Sequence, residues 1–266
     1  MHLNTRRKLP EMGISSTSPR ADSNKIIQGL WIGPDLSLLE QLSIASFLRN
    51  GHEYHLYVYA EPRNIPAGTI VKDANQILPS SSIFQYREYA SYAGFANFFR
   101  YKILLEHGGW WADSDTICLK PFDFPDEYVF SSELCNGRDV INCGVIKTPK
   151  SSPVMAYAWA VCQTKDPQKL RWGETGPRLM SEAVERSSLE KHVKPYTFFC
   201  PLSYSDWSRV LEPETNDLLN EGVYAIHLWN EMWRKVNQDK NARYPDNCLF
   251  ENLKRKYLGP TLSKPN

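Results

Sequence analysis

The sequence predicts an α/β fold in which a mostly parallel central sheet is covered by helices on both faces. Apolar segments of strand composition alternate with segments of helical periodicity along most of the 266 residues. Such alternation favours a parallel sheet, because a crossover helix returns the chain to the same end of the sheet. The hydrophobic content of 42% is enough for one large core. We find no internal repeat and no second boundary, so residues 25–266 are expected to form one domain.

The first three elements are predicted as strand, helix and strand. An apolar run at Ile26–Ile32 predicts the first strand, and the periodic stretch Leu36–Leu48 predicts a helix. The pair Asn50-Gly51 is expected to end this helix, since both residues tolerate the left-handed conformation. Strand composition returns at Tyr54–Tyr59.

After a loop containing Pro and Ser, the second part of the domain begins with the strongest helix, Ser91–Glu106, which Gly108-Gly109 ends. The apolar residues after these glycines predict a strand over Trp110–Leu119. The same two patterns predict the remaining elements. Further strands are expected at Tyr128–Leu134, Asn142–Lys147, Tyr196–Phe199 and Tyr224–Trp229, and further helices at Pro153–Gln163 and Gly176–Arg186.

Residues 1–24 predict a flexible tail, because they are rich in Ser, Pro and Arg and lack apolar periodicity. The cluster Arg6-Arg7-Lys8 is sufficient only for a weak, peripheral contact with an anionic membrane surface. No stretch approaches the roughly 20 apolar residues of a transmembrane segment, and no signal peptide is recognised. We therefore expect a cytoplasmic protein, with a peripheral position at the inner face of the membrane as the alternative. The six Cys have no paired spacing, which indicates reduced thiols.

The charge balance argues against nucleic acid as a partner. The chain has 31 Lys+Arg and 30 Asp+Glu, a net charge of +1, whereas nucleic-acid binders attract phosphates through a basic surface. Any anionic ligand must therefore be held locally. Eight Trp and fourteen Tyr supply rings that either fill the core or stack on bases and sugars.

The most informative segment is Asp113-Ser114-Asp115, which follows two glycines and an apolar Trp110-Trp111-Ala112. Side chains alternate in an extended chain, so Asp113 and Asp115 are expected to point the same way. Two adjacent carboxylates at a strand end favour a hard divalent cation such as Mn²⁺ or Mg²⁺, which can also bridge to a diphosphate. The alternative is an acidic turn on a solvated loop.

A metal-dependent phosphatase of the haloacid dehalogenase type is the competing chemistry, because it also carries Asp-x-Asp at a strand end. Its Thr follows the second Asp after one intervening residue, whereas Thr116 follows Asp115 directly. The pair also lies in the middle of the chain rather than near its start. Both departures disfavour the phosphatase.

The helix before the glycines carries a polar pair. Asn97 and Arg100, spaced i and i+3, share the face opposite an apolar face that includes Phe95, Phe99 and Ile103. Arg100 could form a structural salt bridge with an aspartate or bind a ligand oxygen through its planar guanidinium. These two interpretations remain open.

These residues resemble the family-32-like glycosyltransferases, whose pattern is a Ser-Asp-x-x-Arg helix, two glycines, an apolar strand and a DXD motif. The match runs from Asn97, in place of the usual Asp, through Arg100 and Gly108-Gly109 to Asp113-Ser114-Asp115. The resemblance implies a single GT-A type, Rossmann-like domain. It also implies a retaining transfer of a sugar from a nucleotide-sugar, with UDP-sugar favoured, to a glycan or glycolipid acceptor in bacterial surface polysaccharide synthesis.

The resemblance implies roles for individual residues. Asp115 and His227 would bind the divalent ion directly, and Asp113, the third residue of the metal site, would help through water or the ribose. Asp113, Asp115 and Arg100 would be the catalytic residues. Contacts with the donor are implied for Trp31, Asn97, Arg100, Ser114, Asn142, Glu174, Thr175, Gly176, Trp229 and Trp233. No residue stands out as the nucleophile of a retaining reaction. Glu133 and Glu174 are the carboxylates to examine for this role.

Purely structural interpretations stay open for the same residues. Trp31 fits a core ring, Asn142 a buried amide bonded to backbone, Thr175 a helix cap and His227 a satisfied core residue. A second function also stays open, since the substitution at Asn97 is compatible with a sugar- or nucleotide-binding module that has no turnover.

Overall fold

The computed structural model describes residues 24–215 and 218–259, and the α/β architecture predicted from the sequence is confirmed. The predicted tail, with Arg6-Arg7-Lys8, lies outside the described residues except for Asn24. Asn24 is buried, and its side chain donates to the carbonyl of Phe124 at 3.0 Å.

The strands are β1 (Ile26–Trp31), β2 (Glu53–Val58), β3 (Ile70–Asp73), β4 (Gly109–Ala112), β5 (Thr116–Cys118), β6 (Val129–Cys135), β7 (Arg138–Thr148) and β8 (Ala225–His227).

Helices flank these strands. They are α1 (Leu38–Arg49), α2 (Ala93–His107), α3 (Pro153–Gln163), α4 (Pro177–Arg186), α5 (Tyr196–Phe199), α6 (Asn230–Lys235) and α7 (Leu249–Leu258). Short 3₁₀ turns occupy Ala74–Gln76, Ser80–Ser82, Glu190–His192 and Tyr204–Leu211. Across residues 24–215 and 218–259, no helix has both the length and the apolar character that crossing a bilayer requires.

The main sheet has the strand order β3-β2-β1-β4-β7-β6. The first four strands are parallel, and β7 runs antiparallel to both of its neighbours. The predicted mostly parallel sheet is therefore confirmed. A separate antiparallel ribbon pairs β5 with β8. The carboxyl end of β4 consequently meets the middle of β7 and the ribbon at one edge of the sheet, where ligands of α/β proteins bind.

Two predicted strands have a different structure. The segment Trp110–Leu119 divides into β4 and β5, because a turn forms in which the N–H of Thr116 donates to the carbonyl of Asp113 at 2.9 Å. Serines of α1 hold β5 outside the main sheet, since Ser43 donates to the carbonyl of Thr116 and Ser46 accepts from the N–H of Cys118. Tyr196–Phe199 is the short helix α5 rather than a strand.

One edge strand was not predicted. No residue of β3 is fully buried, and its four residues alternate between half-buried and exposed. Its short apolar content, within a segment that contains Pro and Gly, gives a weak strand signal.

Aromatic side chains pack β4 from both faces. Trp110 and Trp111 are fully buried and point to opposite sides, as alternation in a strand requires. The Trp110 ring contacts Phe122 and Phe199, with the centroids 5.0 and 6.5 Å apart, and the Trp111 ring contacts Phe99 at 6.3 Å. Packing on both faces fixes the end of β4 and hence the start of the acidic segment.

The turn from α2 into β4 depends on Gly108, which supports a prediction about stability. Its φ is +69°, and a Cβ there would overlap the backbone nitrogen of Lys150. Gly137 has a similar φ of +74° with no atom within 4 Å of its would-be Cβ. We expect Gly137→Ala to lower the free energy of unfolding by about 1 kcal/mol and Gly108→Ala by about 3 kcal/mol or more. Urea denaturation measures both, and equal losses would show that the overlap at Gly108 is relieved without cost.

Candidate active site

Two aspartates and a histidine converge at the carboxyl end of β4. Nε2 of His227 lies 2.9 Å from Oδ1 of Asp115 and 4.0 Å from Oδ2 of Asp113. One potential ligand atom from each of the three residues lies within 4.8 Å of the others. The carboxylates converge through a turn rather than through the extended chain that was predicted. The predicted grouping of Asp113, Asp115 and His227 is thus present in the structure.

The β5–β8 ribbon brings His227 to the aspartates. Thr116 is paired with His227, and the N–H of Leu228 donates to the carbonyl of Asp115 at 2.9 Å. The backbone N–H of Asn230, at the start of α6, donates to Oδ2 of Asp115 at 2.7 Å. Both oxygens of the Asp115 side chain therefore have fixed partners.

Arg100 holds Asp113 in place. Its Nη2 lies 2.9 Å from Oδ1 of Asp113, and its Nη1 donates to the carbonyl of Cys143. Nε1 of Trp111 donates to the same Oδ1 at 2.9 Å. Oδ2 of Asp113 is left facing His227. In this structure Arg100 forms the structural salt bridge, the first of its two open interpretations, and it is buried rather than on a free helix face.

Acidic and basic groups of the cluster shift one another's pKa values. Burial by itself lowers the pKa of His227, but the adjacent Asp115 carboxylate outweighs it and holds this pKa well above its ordinary value. Burial raises the pKa of Asp113 despite Arg100, whereas the charge of His227 and several hydrogen bonds hold the pKa of Asp115 below its ordinary value. Arg100 and His227 are the basic groups that face these two carboxylates. A divalent ion bound here would require His227 to release its proton.

Gly144 of β7 leaves open space beside the cluster. A Cβ at this position would lie 2.8 Å from Oδ1 of Asn142 and 3.7 Å from both Oδ2 of Asp113 and Nε2 of His227. Carboxylate oxygens and an imidazole nitrogen form a donor set that binds divalent metals, and the absent side chain leaves them accessible. The residues therefore fit a divalent ion. Asn142 was predicted as a site residue from the sequence, but Gly144 was not. The pattern that could have indicated it is a glycine within a predicted strand, which often lies where a ligand approaches the backbone closely.

Asn142 links the cluster to Glu133 on β6. Its Oδ1 accepts from the N–H of Gly144 and from the hydroxyl of Ser131, the latter at 3.3 Å. With its oxygen so occupied, Asn142 can offer only its NH₂ group to the neighbouring Glu133. Burial raises the pKa of Glu133, although His227 and Asn142 oppose the shift. In the described part of the chain, no Lys or Arg pairs with this carboxylate.

Asn97, Thr175 and Gly176 meet where α2 contacts the start of α4. Asn97 is only 7% exposed, and a Cβ on Gly176 would lie 3.2 Å from its Nδ2. The hydroxyl of Tyr101 donates to the carbonyl of Thr175 at 2.7 Å. The N-cap of α4 is Gly176, without a side-chain bond, so the predicted capping role of Thr175 is wrong.

Trp229 contacts the cluster, and Trp31 lines a cavity at the end of β1. The Trp229 ring is 4.3 Å from the His227 ring, and its Nε1 donates to the carbonyl of Leu202. Trp31, at the end of β1, lines a cavity of about 430 Å³ with Asp35, Arg63 and Lys240 among its other residues. Its Nε1 is buried without a hydrogen-bond partner.

Two residues expected at the donor site lie elsewhere. Trp233 is fully buried, its Nε1 donates to the carbonyl of Leu228, and its ring packs on Phe250 with centroids 5.0 Å apart, so it has no surface for a ligand. Glu174 forms an ion pair with Lys165 at 2.7 Å and contacts none of the three clustered residues. Ser114 lies half-buried in the turn between the two aspartates.

Comparison with known families agrees with this geometry. Residues 39–132 match the glycosyltransferase sugar-binding region containing the DXD motif, and residues 166–258 match the α-1,4-glycosyltransferase conserved region. The first match includes Arg100, Asp113 and Asp115, and the second includes His227. The chain belongs to the DXD-containing, family-32-like glycosyltransferases. The α/β fold with a mostly parallel central sheet that the resemblance implies is confirmed.

Individual relatives are more distant. The chain is 27% identical over 179 residues to the human α-1,4-N-acetylglucosaminyltransferase, a match that covers 61% of this chain and 49% of that protein. The chain thus spans about half the length of this curated relative. Among solved structures it is similar to the PaToxG glycosyltransferase, with 19% identity, a TM-score of 0.45 and coverage of 61% and 69% of the two chains. It is also similar to the apo WbbM bifunctional glycosyltransferase, with 10% identity, a TM-score of 0.44 and coverage of 88% and 52%.

Proposed function

We propose that this protein transfers a sugar from a nucleotide-sugar, most favourably a UDP-sugar, to a glycan or glycolipid acceptor. The observation that carries the proposal is the convergence of Asp113, Asp115 and His227 around the space left by Gly144. The family match over the acidic segment supports the same conclusion. A role in bacterial surface polysaccharide synthesis rests on the sequence resemblance alone. A place at the inner face of the membrane rests on the basic cluster Arg6-Arg7-Lys8 alone.

The metal that we assign to this site is Mn²⁺ or Mg²⁺, held by Asp113, Asp115 and His227. When bound, such an ion neutralises charge on the leaving diphosphate. An imidazole ligand beside two carboxylates favours Mn²⁺ over Ca²⁺, because Ca²⁺ prefers oxygen ligands throughout.

The protein's own residues orient the donor in this proposal. Arg100 and the Trp111 N–H fix one oxygen of Asp113, which keeps the other directed at His227. Trp31 offers an aromatic face in a cavity of about 430 Å³, a volume that accommodates a nucleotide base and ribose. Trp229 shields the imidazole of His227 from solvent on one side.

Glu133 is the carboxylate that we assign to the transferred sugar, and a retaining reaction is the outcome that the resemblance implies. Its neighbour Asn142, which acts on the pKa of Glu133, borders the space at Gly144. We expect Glu133→Gln to lower turnover about 100-fold at unchanged nucleotide affinity. Unchanged turnover would remove Glu133 from the mechanism.

The test of the proposal is nucleotide release from a panel of UDP- and GDP-sugars in the presence of Mn²⁺. We expect release from at least one donor, its loss when EDTA removes the metal, and its return when Mn²⁺ is added in excess. Absence of release from every donor, together with no metal-dependent nucleotide binding, would overturn it.

A binding module without turnover is the second candidate, favoured by Asn97 in place of the family's usual Asp. It predicts that UDP or GDP raises the melting temperature equally with and without Mn²⁺ and that no sugar is transferred. A ligand at 100 times its dissociation constant stabilises the folded state by about 2.7 kcal/mol. The shift is therefore large enough to measure.

A further inference from the structure

An exposed aromatic surface lies beside the candidate active site. Trp172 is 43% exposed and Tyr89 is 37% exposed, and their ring centroids are 5.1 Å apart in an edge-to-face arrangement. Nζ of Lys235 lies 5.2 Å from the centroid of Trp172 and 5.5 Å from that of Tyr89. We call Tyr89, Trp172 and Lys235 the aromatic shelf. The three residues come from three separate segments of the chain.

Exposed apolar side chains concentrate in these segments. Of the six large hydrophobic residues classed as exposed in residues 24–215 and 218–259, Tyr89 and Trp172 are in the shelf, and Tyr92 and Val236 lie within three residues of its members. An exposed apolar surface with a polar border is typical of an interaction site. Polar side chains border it here, since Arg87 donates to the side chain of Gln168 at 3.2 Å and Arg171 is exposed.

The helix α6 connects the shelf to Asp115. Its first N–H, from Asn230, donates to Asp115, and Lys235 follows five residues later, about 7.5 Å along the helix axis. Arg234 of the same helix donates to the carbonyl of Tyr89 at 2.5 Å. The shelf therefore lies within the reach of a short oligosaccharide from the acidic cluster.

A second connection runs through Trp172 itself. Three and four residues after it come Thr175 and Gly176, and Gly176 packs against Asn97 on the helix that carries Arg100. The ring of the buried Tyr86 packs on Trp172, with the two centroids 5.0 Å apart. The first connection thus ends at Asn230, which donates to Asp115. The second ends at Asn97, one helical turn from Arg100, the partner of Asp113.

Hydrogen bonds hold the segments of the shelf in position. The N–H of Tyr86 donates to the carbonyl of Ser91, and the N–H of Ala90 donates to the carbonyl of Tyr86, each at 2.9 Å, which closes the turn that presents Tyr89. The hydroxyl of Ser91 donates to Glu231 of α6 at 3.2 Å. A site that is formed in advance costs less ordering entropy on binding.

We propose that the aromatic shelf binds the acceptor, with a pyranose ring of a glycan stacked on Trp172 and Tyr89. The proposal rests on the transferase function proposed above and names its acceptor site. A pyranose has an apolar face of C–H groups and a rim of hydroxyls, which matches two rings bordered by Lys235, Arg87 and Arg171. The donor base is assigned to the cavity at Trp31, so the shelf remains for the second substrate.

The first test observes sugar binding directly. Protein labelled with 5-fluorotryptophan is titrated with a panel of methyl pyranosides and di- and trisaccharides, with and without UDP and Mn²⁺, and Trp172→Phe identifies the Trp172 resonance. Trp159 is the internal control, because it also carries a lysine over its ring, with Nζ of Lys102 at 5.4 Å, and it lies on α3. We expect a member of the panel to shift the Trp172 resonance and leave that of Trp159 in place.

The second test is kinetic. With the sugar that binds best, Trp172→Ala is expected to raise the acceptor KM about 10-fold while nucleotide release without acceptor stays within twofold of wild type. Trp159→Phe should match wild type in both assays. Unchanged acceptor KM in Trp172→Ala, no sugar-dependent shift at Trp172, or binding of only a protein or lipid vesicle at the shelf would overturn the acceptor site. If the wild-type protein released no nucleotide from any donor, the transferase function itself would be overturned.

Discussion

Asp115→Asn is expected to lower metal-dependent nucleotide release by about 100-fold or more, because it removes the charge of a carboxylate that we assign to the metal. The amide has nearly the same shape and can still accept the N–H of Asn230. It cannot supply the negative charge that both His227 and a divalent ion require. The effect should therefore appear in turnover and in metal affinity rather than in folding.

Asp126→Asn is the matched control for this variant. Asp126 is also a partly buried carboxylate in an ion pair, with Nζ of Lys194 at 2.9 Å, and it contacts none of the three clustered residues. We expect its turnover to match wild type. Equal turnover in Asp115→Asn and wild type would show that the acidic cluster is not the site of the reaction.

Gly144→Ala is expected to abolish most of the activity while the protein stays folded. The added methyl group would enter the space among Asn142, Asp113 and His227, at 2.8 Å from Oδ1 of Asn142. Asn142 would then have to move, and a displacement of about 1 Å at a reacting site costs about 100-fold in rate. Turnover, together with the melting temperature, measures the effect.

Gly222→Ala is the control for Gly144→Ala. Its Cβ would approach only Oδ1 of Asn220, at 3.2 Å, on an exposed turn where that side chain can move. Activity of Gly222→Ala should equal that of wild type. If Gly144→Ala were fully active, the space beside the cluster would not be needed by metal or donor.

The sequence predicted the parts of the site that are contiguous in the chain. The helix, the two glycines and the acidic segment follow from local periodicity and turn chemistry, and each lies where it was expected. The carboxylates converge through a turn instead of an extended strand. That difference arises because Ser43 and Ser46 of α1 draw the chain away from the main sheet, a tertiary contact that no local pattern encodes.

Contacts between residues distant in the chain could be predicted only from the family resemblance, and some could not be predicted at all. His227 lies 112 positions from Asp115, and only the β5–β8 pairing brings them together. Trp229 and Trp233 lie in one matched segment, yet the start of α6 between them directs Trp233 into the core. Arg100 is buried because β7 covers the helix face that the apolar pattern left free, as its bond to the Cys143 carbonyl shows.

The most direct test of the central claim measures Mn²⁺ binding in the presence of UDP, with the electron paramagnetic resonance signal of the free ion as the readout. We expect the wild-type protein to bind one Mn²⁺ per chain. Asp115→Asn should lose this binding, and Asp126→Asn should retain it fully. Equal Mn²⁺ binding by wild type and Asp115→Asn, or no binding by wild type, would contradict the assignment of Asp113, Asp115 and His227 as a divalent metal site.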